Sequence, residues 1–118
     1  METDCLFCKI VNRELPADVV YEDEQLLAFN DISPQAPTHT LIIPKTHIAT
    51  VNDLTEAEIN LPGALVLRAR ALAGEKGIAE SGYRLCINTN EDSGQSVFHI
   101  HLHLLGGEKL APMLPRKD

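Results

Sequence analysis

Three histidines at alternate positions, His99, His101 and His103, constrain this chain more than any other feature of its sequence. Large apolar residues separate and flank them. Because successive side chains on a strand point to opposite faces, a strand would bring all three imidazoles onto one face. On a helix the same positions would point in three directions. We therefore predict a strand over residues 97–105. The apolar residues predicted to face the core are Phe98, Ile100, Leu102 and Leu104.

The length of 118 residues and the net charge of −7 limit the fold and the partners. The length is typical of a single domain, predicted here over residues 1–118. No run of lysine or arginine is present, so binding of duplex nucleic acid is not expected. No apolar segment is long enough for a membrane span, and none is expected. The odd cysteine count and the lack of a visible secretory leader favour reduced thiols in the cytoplasm.

Hydrophobic patterning predicts an α+β fold built on an antiparallel sheet. Thr55 and Glu58 form a capping-box signature, which indicates a short turn over 55–60. A main helix follows over 62–73, ending at Gly74 or Gly77. A short N-terminal helix is predicted over 4–12. The five predicted strands cover 19–22, 25–30, 38–44, 83–88 and 97–105.

Two kinds of chemistry are open to the three histidines. Imidazoles can bind a metal ion, and a His-x-His pair with a remote third ligand is the more natural arrangement on a strand. A neutral imidazole can also act as a nucleophile held in one tautomer by a neighbour. The preceding turn, Gly94-Gln95-Ser96-Val97, favours the second, because its N–H groups and the Ser96 hydroxyl could hold phosphate oxygens. Asn88, at the end of the preceding predicted strand, could add a donor.

The cysteines fall into two groups. Cys5-x-x-Cys8 is half of a zinc site, which needs two further ligands. Its alternative is two reduced thiols that pack as small apolar groups. Cys86 alternates with apolar neighbours and is predicted to pack in the core.

The histidine run resembles the histidine-triad (HIT) family, whose motif is His-φ-His-φ-His-φ-φ with φ apolar. His99-Ile100-His101-Leu102-His103-Leu104-Leu105 matches every position. Three further segments resemble the nucleotide-binding branch of that family: 29–39, Ile43-Pro44-Lys45-x-His47 and Gly94-Gln95-Ser96-Val97-x-His99. The resemblance implies a homodimer of α+β subunits. It also implies hydrolysis of purine nucleoside 5′-phosphoramidates and acyl or aminoacyl adenylates to the nucleoside monophosphate.

The resemblance also implies roles for individual residues. His101 would be the nucleophile that becomes nucleotidylated, His103 would hold the phosphate, and His99 would orient its neighbour. His39 would buffer the proton of His101. Asp31 would bind the ribose hydroxyls. Residues implied around the phosphate or the leaving amine are Asn88, Gly94, Gln95, Ser96 and Val97. The apolar slot for the base would comprise Leu6, Phe7, Ile10, Phe29 and Ile32.

No cofactor is implied for catalysis, but a structural zinc ion is. Many bacterial members of the family hold it with two cysteines and two histidines, which here correspond to Cys5, Cys8, His47 and His99. Three other functions stay open: a nucleotide-binding regulatory module without catalysis, a dinucleoside polyphosphate hydrolase, and a metal-dependent hydrolase that uses the triad as ligands. The transferase branch replaces the last histidine with glutamine, so His103 is evidence against it. The C-terminal tail, 108–118, could reach the active site.

Overall fold

The structure is a computed structural model that describes residues 4–114. Its strands form one five-stranded antiparallel sheet in the order β1-β2-β3-β5-β4. The strands are β1 (Asp18–Glu22), β2 (Leu26–Asn30), β3 (Thr38–Pro44), β4 (Tyr83–Cys86) and β5 (Leu102–Gly106), and the helices are α1 (Leu6–Val11) and α2 (Leu61–Glu75). The predicted α+β fold with a five-stranded antiparallel sheet, one main helix and a short N-terminal helix is confirmed. The predicted tail and the predicted domain both end in residues 115–118, outside the described residues.

Alternation along the central strands divides the core between the two faces of the sheet. Leu26, Ala28 and Ile42 face α2 and pack against Leu65 and Leu72 of that helix. The residues between them face the other way and pack with α1. This second cluster comprises Cys5, Phe7, Leu27, Phe29, Leu41 and Ile43. The helix α1 thus covers the sheet face opposite α2.

The helix α2 is longer than the sequence predicted. It begins at Leu61, with Pro62 in the first turn where its missing N–H costs nothing, and continues through Gly74 to Glu75. The chain then leaves the helix at Gly77, whose φ of +74° favours glycine. The predicted capping box is confirmed, with Thr55 and Glu58 capping a single 3₁₀ turn. Between residues 4 and 114, neither helix combines the length and hydropathy that a membrane crossing requires.

The strand predicted over 97–105 is wrong in its first half, because β5 begins only at Leu102. The β3–β5 pairing ends at Ile42 opposite Leu102, and continuing the register would set Ile100 against Pro44. Proline has no N–H to donate, so the ladder stops there. The Ile100 N–H donates instead to the carbonyl of Ile48, at 2.7 Å. Phe98, predicted to be buried, is 47% exposed on this irregular segment.

The strand β4 also ends two residues early, at Cys86. Leu85 and Ile87 pack against the α2 side of the core. Cys86 lies between them in sequence and is only partly buried, paired across the ladder with His103. Paired residues share a face of the sheet, so Cys86 lies on the face of His103. The prediction that Cys86 packs in the core is therefore wrong.

Candidate active site

His101 is held in a single tautomer by the backbone beside it. Its Nδ1 lies 2.8 Å from the carbonyl oxygen of His99. A carbonyl oxygen can only accept, so Nδ1 carries the proton and Nε2 keeps its lone pair. The residue is only 5% exposed, and burial lowers the pKa of its ring, against the opposing effect of the bond to the His99 carbonyl. The result is a neutral imidazole with an available Nε2, the form required of a nucleophile.

His103 and His39 form a second hydrogen-bonded unit next to this ring. The Gln35 N–H donates to Nδ1 of His39, at 3.1 Å, so the proton of His39 is on Nε2. That Nε2–H lies 2.9 Å from Nδ1 of His103, which leaves the proton of His103 on its own Nε2. Burial lowers the pKa of His103 to about 4, with repulsion from His101 and His39 acting in the same direction. The resemblance implied that His39 acts on the proton of His101, whereas the structure hydrogen-bonds His39 to His103.

Asp31 lies beside this histidine pair. One carboxylate oxygen accepts from the Ser33 N–H at 2.8 Å, and the other lies 3.6 Å from Nε2 of His39. Burial lowers the pKa of His39, and the charge of Asp31 opposes that shift. Asp31 is partly exposed and lines a cavity, where its carboxylate can accept hydrogen bonds from a ligand.

The cavity has a volume of about 360 Å³ and is mostly apolar. It brings together His101, His103, Asp31 and all five residues predicted for the base slot. Its walls are Leu6, Phe7, Ile10, Leu15, Pro16, Ala17, Phe29, Asn30, Asp31, Ile32, Leu41, Ser96, Val97, His101 and His103. Leu41 was not predicted to line the site, although the alternation of β3 places it on the same face as Ile43, toward α1. Residues 15–17, in the loop between α1 and β1, were not predicted either, because their residue types carry no signal for a binding site.

The residues predicted around the phosphate separate into two groups. Ser96 and Val97 line the cavity, whereas Asn88, Gly94 and Gln95 do not. The Oδ1 of Asn88 accepts from the thiol of Cys86, at 3.5 Å, which leaves its amide NH₂ to donate elsewhere. Gly94 ends a 3₁₀ turn in the left-handed conformation, with φ of +89°. Gln95 is buried, and its side chain binds backbone groups of the surrounding loops.

A separate cluster of thiols and imidazoles lies behind His101. The ligand atoms of Cys5, Cys8, His47 and His99 all lie within 4.8 Å of one another. Nδ1 of His99 is 3.3 Å from Sγ of Cys5 and 3.3 Å from Nδ1 of His47, and Sγ of Cys8 is 3.3 Å from Nδ1 of His47. Nε2 of His99 donates to the Pro44 carbonyl at 2.8 Å, so its lone pair on Nδ1 faces the thiols. Two sulfur and two nitrogen donors at these separations fit a tetrahedral zinc ion.

The two sites share structural elements. His99 contributes Nδ1 to the thiol cluster and its carbonyl oxygen to His101. Phe7, on α1 between the two cysteines, packs edge-on against the rings of both His99 and His101, at centroid distances of 5.9 and 5.1 Å. The helix that carries the thiols therefore also forms one wall of the cavity.

Comparisons with known proteins agree with this fold and site. The HIT domain matches residues 12–110. A purine nucleoside phosphoramidase of Escherichia coli (strain K12) is 52% identical over 117 residues, which cover 99% of this chain and 98% of that protein. A HIT family hydrolase from Legionella pneumophila has a TM-score of 0.89 and 56% identity, covering 92% of this chain and 96% of that chain. A HIT family hydrolase from Clostridium thermocellum has a TM-score of 0.93 and 46% identity, covering 98% and 100%. This chain is therefore a hydrolase that belongs to the HIT family.

Proposed function

We propose that this protein hydrolyses purine nucleoside 5′-phosphoramidates, and related acyl or aminoacyl adenylates, through a covalent nucleotide on His101. The observation that carries the proposal is the His101 tautomer: Nδ1–H bonded to the His99 carbonyl, and an available Nε2 on the wall of the cavity. The similarity to a purine nucleoside phosphoramidase supports the choice of substrate.

The reaction proceeds in two displacements at phosphorus. In the first, Nε2 of His101 bonds to phosphorus, the P–N bond of the substrate breaks, and the amine takes up one proton as it leaves. The positive charge that develops on the His101 ring is stabilised by the His99 carbonyl that accepts its Nδ1–H. In the second, water attacks phosphorus, the bond between phosphorus and Nε2 of His101 breaks, and the nucleoside monophosphate is released. The water gives up one proton, which replaces the proton that the amine took from the site. Dividing one difficult step into two is the gain from covalent catalysis.

Other residues of the cavity hold the substrate. The base lies in the apolar slot between α1 and β2, lined by Phe7 and Phe29, and Asp31 accepts hydrogen bonds from the ribose hydroxyls. The phosphate lies next to the His103 ring and the Ser96 hydroxyl. His103 can donate to it from Nε2–H, because its Nδ1 accepts from His39. The amide NH₂ of Asn88 supplies a further donor to the phosphate or the leaving amine.

The test is release of AMP from adenosine 5′-phosphoramidate by the wild type and by His101→Ala. We expect the variant to lose activity by several orders of magnitude while it still binds AMP, because the cavity walls remain. Quenching turnover with an alkaline denaturant, which preserves the P–N bond to histidine that acid would hydrolyse, should leave one nucleotide covalently attached to the wild type and none to the variant, as measured by mass spectrometry. Activity of His101→Ala at the wild-type rate would refute the proposal. Tight AMP binding by a wild type without turnover would instead indicate a binding module.

We also propose that Cys5, Cys8, His47 and His99 hold a structural zinc ion. The ion would tie α1 to the loop after β3 and to the triad segment, and it takes no part in phosphate chemistry. The purified protein should contain about one equivalent of zinc by elemental analysis, and Cys8→Ser should contain much less. Cys86→Ser, which alters the cysteine outside the cluster, is the matched control and should retain the metal. Equal zinc content in all three proteins, or none in the wild type, would contradict this assignment.

We further propose that the protein is a homodimer, as the resemblance implies. The outer surface of α2 carries exposed apolar side chains, among them Val66 and Leu67. The strand β4 is at the edge of the sheet, so one side of its backbone is available to a second strand.

A further inference from the structure

Gln95 belongs to the turn over residues 94–97 that the sequence predicted to hold the phosphate, but the structure places its side chain elsewhere. It does not line the cavity, and it is only 6% exposed. Its side chain makes three hydrogen bonds, all to backbone atoms. Oε1 accepts from the Asn90 N–H at 2.7 Å, and Nε2 donates to the carbonyls of Ala49 and Val97, at 2.9 and 3.1 Å. The full hydrogen-bonding capacity of the NH₂ group is used in this way.

These bonds hold a segment that has no strand ladder of its own. Residues 97–101 lie outside the sheet, and their backbone has no regular strand partner. The Gln95 amide joins this segment to the loop after β3, beside the bond from the Ile100 N–H to the Ile48 carbonyl. A buried amide that bridges backbone groups fixes a loop more rigidly than solvent-exposed contacts would. Ser96, which lines the cavity, lies between Gln95 and Val97 and is therefore held on both sides.

The same side chain supports a strained residue. Asn90 has a φ of +65°, a region that residues other than glycine rarely occupy. Both backbone groups of Asn90 are bonded to Gln95: its N–H donates to Oε1, and its carbonyl accepts from the Gln95 N–H at 3.2 Å. Strained backbone of this kind persists only where the surrounding contacts enforce it.

We propose that Gln95 is a positioning residue that acts through Ser96, setting the place of the Ser96 hydroxyl against the phosphate. This inference rests on the proposed function, since it assigns Gln95 to the same site. Gln95 does not touch the substrate. Its role is to hold the Ser96–Val97 backbone through the Val97 carbonyl, so that the hydroxyl needs no reorganisation when the phosphate binds.

The test is a double-mutant cycle between Gln95→Met and Ser96→Ala, with adenosine 5′-phosphoramidate as substrate. Methionine has a similar length and no hydrogen-bonding amide. We expect Gln95→Met to lower kcat/KM about 10- to 100-fold when Ser96 is present, because a displacement of about 1 Å has that effect. In the Ser96→Ala background we expect the same change to lower kcat/KM less than about threefold, because the group positioned by Gln95 is already gone. Fully additive losses, or no loss in Gln95→Met, would overturn the proposal.

Two further variants separate positioning from general stability. Gln95→Glu keeps an acceptor for the Asn90 N–H but sets a second oxygen against two carbonyls, so we expect a loss at least as large as in Gln95→Met. Asp23→Ala also removes three hydrogen bonds, from Tyr21, Gln25 and Leu26, in the turn between β1 and β2. We expect it to lower the melting temperature without changing kcat/KM. Wild-type kcat/KM in Gln95→Glu would contradict the proposal.

A binding measurement keeps this inference distinct from the proposed function. The same four proteins of the cycle are titrated with AMP by calorimetry, and we expect the same non-additive pattern in the dissociation constants. If the wild type binds AMP but does not turn over the phosphoramidate, the proposed function fails while the cycle still tests Gln95. If the wild type is active and the losses are additive in both measurements, only the inference about Gln95 fails.

Discussion

At the scale of single residues, backbone carbonyls set the tautomers of His99 and His101. His99 and His101 each donate one ring N–H to a carbonyl, of Pro44 and of His99 itself. A carboxylate in the same place would favour the charged imidazolium, whereas a carbonyl fixes the tautomer with a smaller rise in the pKa. Burial then keeps each ring neutral, and the free nitrogen faces the thiols in one case and the cavity in the other.

The partly buried His103 predicts a loss of stability in mild acid. The pKa of His103 falls from 6.5 to about 4 on folding, so between these values the unfolded chain binds a proton that the folded chain does not. His103 therefore costs no stability above pH 6.5, and the cost of keeping it unprotonated in the folded state grows as the pH falls toward 4. We expect His103→Gln to reduce the slope of the free energy of unfolding against pH by the equivalent of up to about one bound proton. Urea denaturation from pH 4 to 8 measures this slope. Identical slopes for the two proteins would contradict the prediction.

At the scale of elements, the hydrophobic periodicity of the sequence predicted the limits of β3 and the faces of the strands. It did not predict where the hydrogen-bonded ladder of β5 ends. The limits of β3, from Thr38 to Pro44, were predicted correctly because its apolar run is long and ends in proline. The faces of the triad residues were also predicted, since Leu102 and Leu104 are buried against α2 while His103 faces the other side. The residue at which the β5 ladder begins was not predicted, because it depends on which residue of β3 lies opposite. A single sequence shows the alternation and does not show the register.

The triad and the Cys-x-x-Cys pair could be predicted from local patterns, whereas Asp31 and the base slot were predicted only through the family resemblance. The structure brings the triad and the cysteines together on the side of the sheet that α1 covers. The position of Gln95 was not predictable in the same way. Its partner loops, at Ala49 and Asn90, are set by tertiary packing, and a glutamine in a polar turn is equally compatible with binding phosphate.

The contrast between two phenylalanines tests the packing of α1. Phe7 is 4% exposed and contacts the rings of Phe29, His99 and His101, whereas Phe98 is 47% exposed. We expect Phe7→Ala to lower the free energy of unfolding by about 3–5 kcal/mol, as for a core phenylalanine. Phe98→Ala, the matched control, should cost less than about 1 kcal/mol. Chemical denaturation measures both, and equal losses would indicate that α1 is not packed as described.

At the scale of the whole molecule, the two faces of the sheet are covered to different extents. One face is covered by α2 across β3, β4 and β5. The other is covered only by the short α1, beside which the cavity lies. The outer surface of α2 has no covering layer within residues 4–114, although it carries apolar side chains. Exposed apolar residues beside an edge strand are typical of an interface between subunits. The proposed dimer would bury this surface and join the sheets at β4.

A charge placed on α2 tests that arrangement. Leu67 is 63% exposed, and in a dimer that pairs α2 with its copy, Leu67→Glu would bring two like charges into an apolar interface. We expect the wild type to be dimeric by light scattering during size-exclusion chromatography, and Leu67→Glu to be largely monomeric with an unchanged circular dichroism spectrum. Val19→Glu, at a 42% exposed position on β1 at the other edge of the sheet, is the matched control and should remain dimeric. A monomeric wild type, or a dimeric Leu67→Glu, would show that α2 is not the interface.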